Sequence, residues 1–471
     1  MPGMFSYLHA ESREHAETPF PSPQRLLQKW EAVPLLAPEE GAATQLRWPA
    51  AAVLPEAADY RLRLAVAVDV REPVLVRVES ASGGMLLGEV EMSYSYPLQP
   101  FELRLDRARA ELLLREGARL SRVKGSNPFW VFWRGPSEEK NALCPHLLAS
   151  DGQPGGLKEA LDRLCALDSL QPLGWLEGCV LDAQLEWSRA DPRFQEALRL
   201  HLAQFTGPAG ELVYENPRNL PTDGKVYGEE GPLPFAILAQ VEPGHPWLEI
   251  AAAYFRGHSD ELRLVKHEGR RVAETSYTCA YPLAAMGPDW ADFALDHLRW
   301  QKDDLVERDE LYLRRSHDGA SKSHKNWARA YSWYMLGLAR SLPLLPAAED
   351  LRAEFRRIAE IALRRQLSDG LWSVYLDDAS LVPDTGGSAG IAAALALGVE
   401  KGLLPRDPFL AAAQRARQGL GAHLTPDGFL AGVSQSNKGG EELQRGEFRV
   451  IAQFGLGLYG LLTASLERQG S

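Results

Sequence analysis

The chain has 471 residues, with 51 Lys and Arg against 63 Asp and Glu, for a formal charge of -12. That length supports two hydrophobic cores without covalent staples. The acidic balance, with no long basic run, excludes nucleic acid and anionic membrane surfaces as expected partners.

Cys144, Cys165, Cys179 and Cys279 lack C-x-x-C pairing and are expected to be reduced, mostly buried thiols. Met1 to Pro19 has no basic stretch followed by an apolar core, and the most apolar run, Ile391 to Val399, is far too short for a bilayer. A soluble cytoplasmic protein is expected, with self-association left open.

Residues 1–25 are polar and Pro-containing and are expected to form a surface arm. Residues 26–136 read as an antiparallel β-sandwich domain. Its strand candidates are Tyr60 to Val68, Val74 to Val78, Leu86 to Met92, Phe101 to Leu105, Ala110 to Leu114, Arg119 to Val123 and Phe129 to Trp133, separated by Gly, Pro or charged breaks. Residues 137–155 read as a linker, closing on the run Asp151-Gly152-Gln153-Pro154-Gly155-Gly156.

From 156 to 471 the signals are helical and repetitive. A small-residue helix, a tight turn with Pro or acid, and a more charged helix recur. The small-residue helices are Cys179 to Trp187, Leu233 to Ala239, Tyr277 to Ala285, Tyr334 to Leu342 and Ala389 to Val399. Phe454 to Ala464 lacks a charged partner and Leu157 to Leu167 lacks a small-residue one, so the two ends supply a sixth pair. Six such pairs closed on themselves predict an (α/α)6 barrel, with small-residue helices inside and amphipathic ones outside.

In that topology the longer segments leading into the inner helices share one rim. They carry Trp175, Glu229, Glu230, Glu274, the stretch from His324 to Trp333, and Asp384. Inner-helix N-termini at that rim favour an anionic ligand. Trp175, Trp327 and Trp333 are candidates to stack on sugar rings, and Arg329 to grip a carboxylate in two-pronged fashion. Asp384 is either a substrate-binding group or the N-cap of its helix, with capping favoured. No His spacing suggests a metal site, and neither metal nor cofactor is expected.

The run Trp327-Ala328-Arg329-Ala330-Tyr331-Ser332-Trp333 resembles the W-x-R-x-x-x-W stretch of the unsaturated glucuronyl and rhamnogalacturonyl hydrolases, glycoside hydrolase families 88 and 105. Asp369-Gly370-Leu371-Trp372 through Asp384-Thr385-Gly386-Gly387-Ser388, and Asp427-Gly428-Phe429-Leu430-Ala431-Gly432-Val433, are similar too. The resemblance spans about 170 to 465 and leaves out the sandwich.

It implies an acid/base carboxylate just before the third inner helix, where this chain has Glu274 in place of Asp. It also implies a second acid at Glu229 or Glu230, and a His that helps hold the uronate carboxylate near Arg314 to His317, where the loop of this chain is shorter. The implied activity is exo-acting removal of a uronic acid, saturated or 4,5-unsaturated, from acidic oligosaccharides. The alternatives are a non-catalytic carbohydrate-binding or scaffold barrel, suggested by the Glu274 substitution, and a sugar epimerase or isomerase using His317 and His324.

Overall fold

The computed structural model describes residues 5–137, 140–260, 270–316 and 319–470. The N-terminal part consists of antiparallel sheets. One has the strand order β1 (Phe5–His9), β11 (His146–Ser150), β5 (Asp59–Ala65), β8 (Pro100–Leu105). A second runs β2 (Ser12–Glu14), β4 (Thr44–Arg47), β9 (Ala118–Lys124), β6 (Leu75–Ser80), β7 (Leu86–Glu91). The pair β3 (Glu31–Leu35) and β10 (Phe129–Arg134) touches the first sheet through a Val66–Val131 bridge.

β6 shows the alternation the sequence suggests, with Val76, Val78 and Ser80 buried. β5 does not alternate: Leu62 and Leu64 are buried, and so is Arg63 on the opposite face. The helical part covers that second face.

Three expectations change here. Ala110 to Leu114 is not a strand but part of helix α1 (Arg107–Glu116). Asp106 caps its first turn by accepting the Arg109 N–H, and Gly117 at φ 82 ends it, so local capping overrides a short apolar run. The presumed arm supplies β1 and β2, and the presumed linker supplies β11, which is paired on both sides.

The helical part follows the repeat. α3 (Trp175–Trp187), α5 (Leu233–Val241), α7 (Tyr281–Ala285) with the π-helical turn Ser276–Ala280 before it, α9 (Ala328–Ser341), α11 (Thr385–Glu400) and α14 (Gln453–Arg468) each contact the next, and α14 packs back on α3. Against them lie α4 (Arg193–Leu202), α6 (Trp247–His258), α8 (Ala291–Leu305), α10 (Glu349–Arg364), α12 (Arg406–Gly421) and α2 (Leu157–Cys165).

Every residue of α3 and α9 is buried, whereas α10 buries the stripe Leu351, Phe355, Ile358 and Ala362. Small residues permit the close inner contacts. A Cβ on Gly337 of α9 would lie 2.3 Å from the Ser276 backbone, and one on Gly457 of α14 would lie 2.5 Å from the Cys179 carbonyl oxygen.

Between the inner helices, Arg340 Nη1 donates to Glu186 Oε1 at 2.6 Å, Nη2 reaches Asp182 and the Tyr281 hydroxyl, and the Tyr277 hydroxyl donates to Asp182. This ionic cluster fills the space below the N-terminal ends of α3 and α9.

The sheets lie against the side of the ring where those N-terminal ends point. Gln435 Nε2 donates to the Ser93 carbonyl at 2.9 Å, Gln453 Nε2 to Leu98 O at 2.7 Å and Gln99 Nε2 to Ile451 O at 3.1 Å. Asn219 donates to Ala67 O and accepts the Asp69 N–H. No helix of the described residues is long and apolar enough to cross a membrane.

Candidate active site

Glu274 sits in a turn that its neighbours hold fixed. β12 (Arg270–Val272) enters it, paired with β14 (Glu310–Ser316), which in turn pairs with β13 (Val306–Glu307) and β15 (Lys322–Lys325). The Ala273 N–H reaches Leu313 O, the Thr275 hydroxyl donates to Val272 O, and His297 and Gln301 of α8 both engage the Thr275 hydroxyl. The Glu274 carbonyl then accepts the N–H groups of Tyr277 and Thr278, opening the π-helical turn.

Glu274 as a residue is 9% exposed, and its Oε2 has no hydrogen-bond partner among the described residues. Burial pushes its pKa up. Arg314 and Arg329 oppose that shift, and Glu229 adds to it.

The loop carrying Glu229 and Glu230 is stitched to the same turn. The Glu229 carbonyl accepts the Thr278 hydroxyl at 2.6 Å and the Cys279 thiol at 3.2 Å. Glu229, Glu230, Glu274 and Arg314 all line one cavity of about 920 Å³. Glu230 and Glu274 also line a small adjoining recess of about 20 Å³, with Trp175, Trp327, Arg329 and Trp333 around them. Of the two adjacent glutamates, only Glu230 reaches this recess.

The recess is aromatic. Trp175 meets Trp333 at 5.4 Å and Phe454 at 5.0 Å between ring centroids, and Trp333 stacks on Tyr277 at 6.3 Å. Arg329 lies over the Trp327 ring at 4.3 Å and donates to the Gln435 carbonyl. Trp327 is the N-cap residue of α9, as the apolar spacing after it predicts.

Asp384 does not line the cavity. Its Oδ1 accepts the N–H of Gly386 at 3.1 Å, capping α11, and that of Ser434 at 2.9 Å from β16 (Val433–Ser434), which pairs with β17 (Arg449–Val450). Its Oδ2 is 3.8 Å from Arg329 Nε, so it steadies the guanidinium from behind.

His324 lines neither space. Its ring is buried beside Trp327, its backbone N–H donates to Glu441 of α13 (Gly440–Arg445), and burial lowers its pKa to about 4, leaving a neutral imidazole. His317 lies outside the described residues.

Several lining groups carry no sequence motif. Tyr96, from the β7–β8 loop, lines both spaces and meets Trp175 edge-on at 5.9 Å. Lys438 lies over Tyr96 at 3.7 Å and pairs with Asp69. Burial lowers the Lys438 pKa to about 8. The Ser93-Tyr94-Ser95-Tyr96-Pro97 loop was the one available signal for Tyr96, and without the interface it reads as an ordinary strand connection.

A ring of paired helices with carboxyls, a guanidinium and indoles at one mouth is architecture suited to sugar chemistry. Residues 286–469 match the family model for Glycosyl Hydrolase Family 88, a match to the C-terminal part of the chain that supports glycoside hydrolase activity.

The helical region resembles the unsaturated glucuronyl and rhamnogalacturonyl hydrolases of families 88 and 105. A possible member of the GH105 family from Salmonella enterica is 19% identical with a TM-score of 0.55, over 64% of this chain and 84% of that one. A family 105 glycoside hydrolase from C. acetobutylicum is 18% identical with a TM-score of 0.55, over 66% of this chain and 99% of that one. A family 88 glycosyl hydrolase from Bacteroides vulgatus is 16% identical with a TM-score of 0.52, again over 66% and 99%. No curated protein sequence matches the chain.

Proposed function

We propose that the chain is an exo-acting glycoside hydrolase that removes a terminal uronic acid from acidic oligosaccharides. In this reading an (α/α)6 barrel at about 157–468 carries the catalysis and the sheets at about 5–150 cap its mouth. The observation that carries it is the Glu274 carboxyl, buried at the cavity with one oxygen unpartnered, in the recess it shares with Glu230 and Arg329. The ionic cluster of Asp182, Glu186 and Arg340 below the recess supports exo action, because a floor of paired charges and tyrosines stops a chain from passing through.

A raised pKa lets Glu274 act as the proton donor. With a 4,5-unsaturated uronide, protonated Glu274 gives its proton to C4 of the enol ether. Its carboxylate then accepts a proton from the water that adds at C5, and the hemiketal opens to release the remaining sugar. With a saturated uronide, Glu274 protonates the glycosidic oxygen while Glu230 activates water or attacks the anomeric carbon. Arg329 and Arg314 flank Glu274 and serve the uronate carboxylate, and Trp175, Trp327 and Trp333 present faces or edges to the pyranose. Glu229 contributes charge at the cavity wall, and Asp384 acts only by holding Arg329.

Incubation with an unsaturated uronyl disaccharide tests this directly. Loss of the ultraviolet absorbance of the conjugated enol supports the first route. Reducing sugar released from a saturated glucuronide, without that loss, supports the second. Neither product from either substrate overturns the proposal.

A further inference from the structure

The cavity at Glu274 continues past the ring. It shares Arg71, Arg218 and Leu220 with a second cavity of about 610 Å³ that lies against the N-terminal sheets. Val68, Val70, Val74, Pro128 and Phe129 give this second space an apolar wall. The first cavity alone, at about 920 Å³, is at the upper end for a drug-sized ligand. A single released uronic acid therefore leaves most of the trough unused.

Two guanidinium groups mark the junction, on segments the fold holds in place. Arg218 lies in a turn whose Asn216 side chain accepts the N–H of Arg218 at 2.8 Å and of Leu220 at 3.2 Å. Asn219 in that turn, at φ 58, bonds Ala67 and Asp69 of the sheet domain, and Gln24 donates to the Arg218 carbonyl. The Arg218 side chain itself is exposed and makes no hydrogen bond or ion pair among the described residues.

Acidic groups also line the second cavity, and they are engaged. Asp69 accepts from Arg71 at 2.7 Å and pairs with Lys438, and Glu72 accepts the N–H groups of Ser126 and Asn127 at 2.9 Å. Arg71 is held by Asp69, so the uncommitted charge at the junction is that of Arg218, and an apolar wall beside it suits the faces of sugar rings.

We infer that this trough binds the part of the substrate beyond the scissile bond, and that the substrate is an oligosaccharide of at least three sugar units with a second carboxylate or sulfate facing Arg71 and Arg218. The inference rests on the reading of the Glu274 pocket as the cleavage site. The sheet domain then acts as a specificity element for chain length and charge.

The test compares kcat/KM on uronate-terminated disaccharides and tetrasaccharides, the longer ones carrying a second uronate, a sulfate or neither, for the wild type and Arg218→Glu, with Arg71→Ala as a second variant. The expected wild-type preference for the acidic tetrasaccharide over the disaccharide is roughly tenfold, about 1.4 kcal/mol. Arg218→Glu should abolish it, mainly through KM. Whichever of the uronate and sulfate forms is preferred identifies the anion.

Equal use of all lengths by the wild type, or a preference unchanged in both variants, overturns the inference. If no substrate is cleaved, the cleavage reading fails on its own. Calorimetric titration of the same tetrasaccharides then decides the trough: tighter binding of the acidic form, lost in Arg218→Glu, supports it, and equal or absent binding overturns it.

Discussion

Arg63 and Asp427, 364 residues apart, meet with both side chains at 0% exposure, Arg63 Nη2 donating to Asp427 Oδ1 at 2.9 Å. Arg63 comes from the middle of a sheet strand and Asp427 from the Asp427-Gly428-Phe429 segment after α12. Glu102 accepts from Arg63, Arg163 and Tyr7 approach Asp427 from the other side, and the Thr425 hydroxyl donates to it at 2.8 Å. This pair fastens the sheets to the ring.

Asp427→Asn is expected to destabilise the protein by about 3–5 kcal/mol, because two buried guanidinium groups, Arg63 and Arg163, lose the carboxylate they share and keep only Glu102 and Asp168. Burial alone would raise the Asp427 carboxyl, but Arg63 and Arg163 outweigh it and hold it well below the usual carboxylate range. A depressed native pKa gives stability that is present above the unfolded value and lost as pH falls through the native one. Urea denaturation should therefore show the wild-type advantage at pH 7 and still at pH 4, closing only in stronger acid.

Glu274→Gln removes the proposed proton donor and should lower kcat by about 10²–10⁴-fold while oligosaccharide binding survives. Wild-type activity should fall as pH rises through the elevated Glu274 pKa. A raised native pKa gives stability that is present below the unfolded value and lost as pH climbs through the native one. Gln mimics the protonated carboxyl, so the variant should match wild type in acid and have the higher Tm at pH 8. Unchanged turnover would remove Glu274 from the mechanism.

Gly337→Ala tests how far packing beneath the site controls it. The added methyl meets the Ser276 backbone, two residues after Glu274. Overpacking there should cost about 1–3 kcal/mol. Because the displaced turn carries the acid, kcat should fall by more than KM rises, as steady-state kinetics on folded variant would show.

Arg329→Lys keeps the charge and loses the planar fork. A kcat/KM loss of about 10–100-fold is expected on uronides. Neutral glycosides of the same linkage, assayed in parallel, should show little change if Arg329 serves the carboxylate.

The helical repeat was legible because burial and space leave a compositional trace. Inner helices wrapped on every side read as Gly, Ala and Leu without amphipathic phase, and outer ones as stripes, so all six pairs fall near their expected positions. Glu230, Glu274, Arg329 and the tryptophans could be nominated because they interrupt that pattern at helix starts.

What could not be read depends on contacts between distant segments. Nothing local in Asp427 distinguishes a buried anchor from a ligand, nothing in Tyr96 announces that its loop reaches the ring, and His324 reads as polar until Trp327 packs against it. The helix over Ala110–Leu114 is a different case, since Asp106 and Gly117 are local helix signals that a short apolar run conceals.

The closure of α14 on α3 also bears on how the molecule assembles. These partners are separated by most of the helical region, so the last seam cannot form until nearly the whole chain is available, at an entropic cost that adjacent pairs do not meet. Until then the flank of α3 presents an uncovered apolar surface, and refolding yield should depend on dilution because neighbouring molecules compete for that flank.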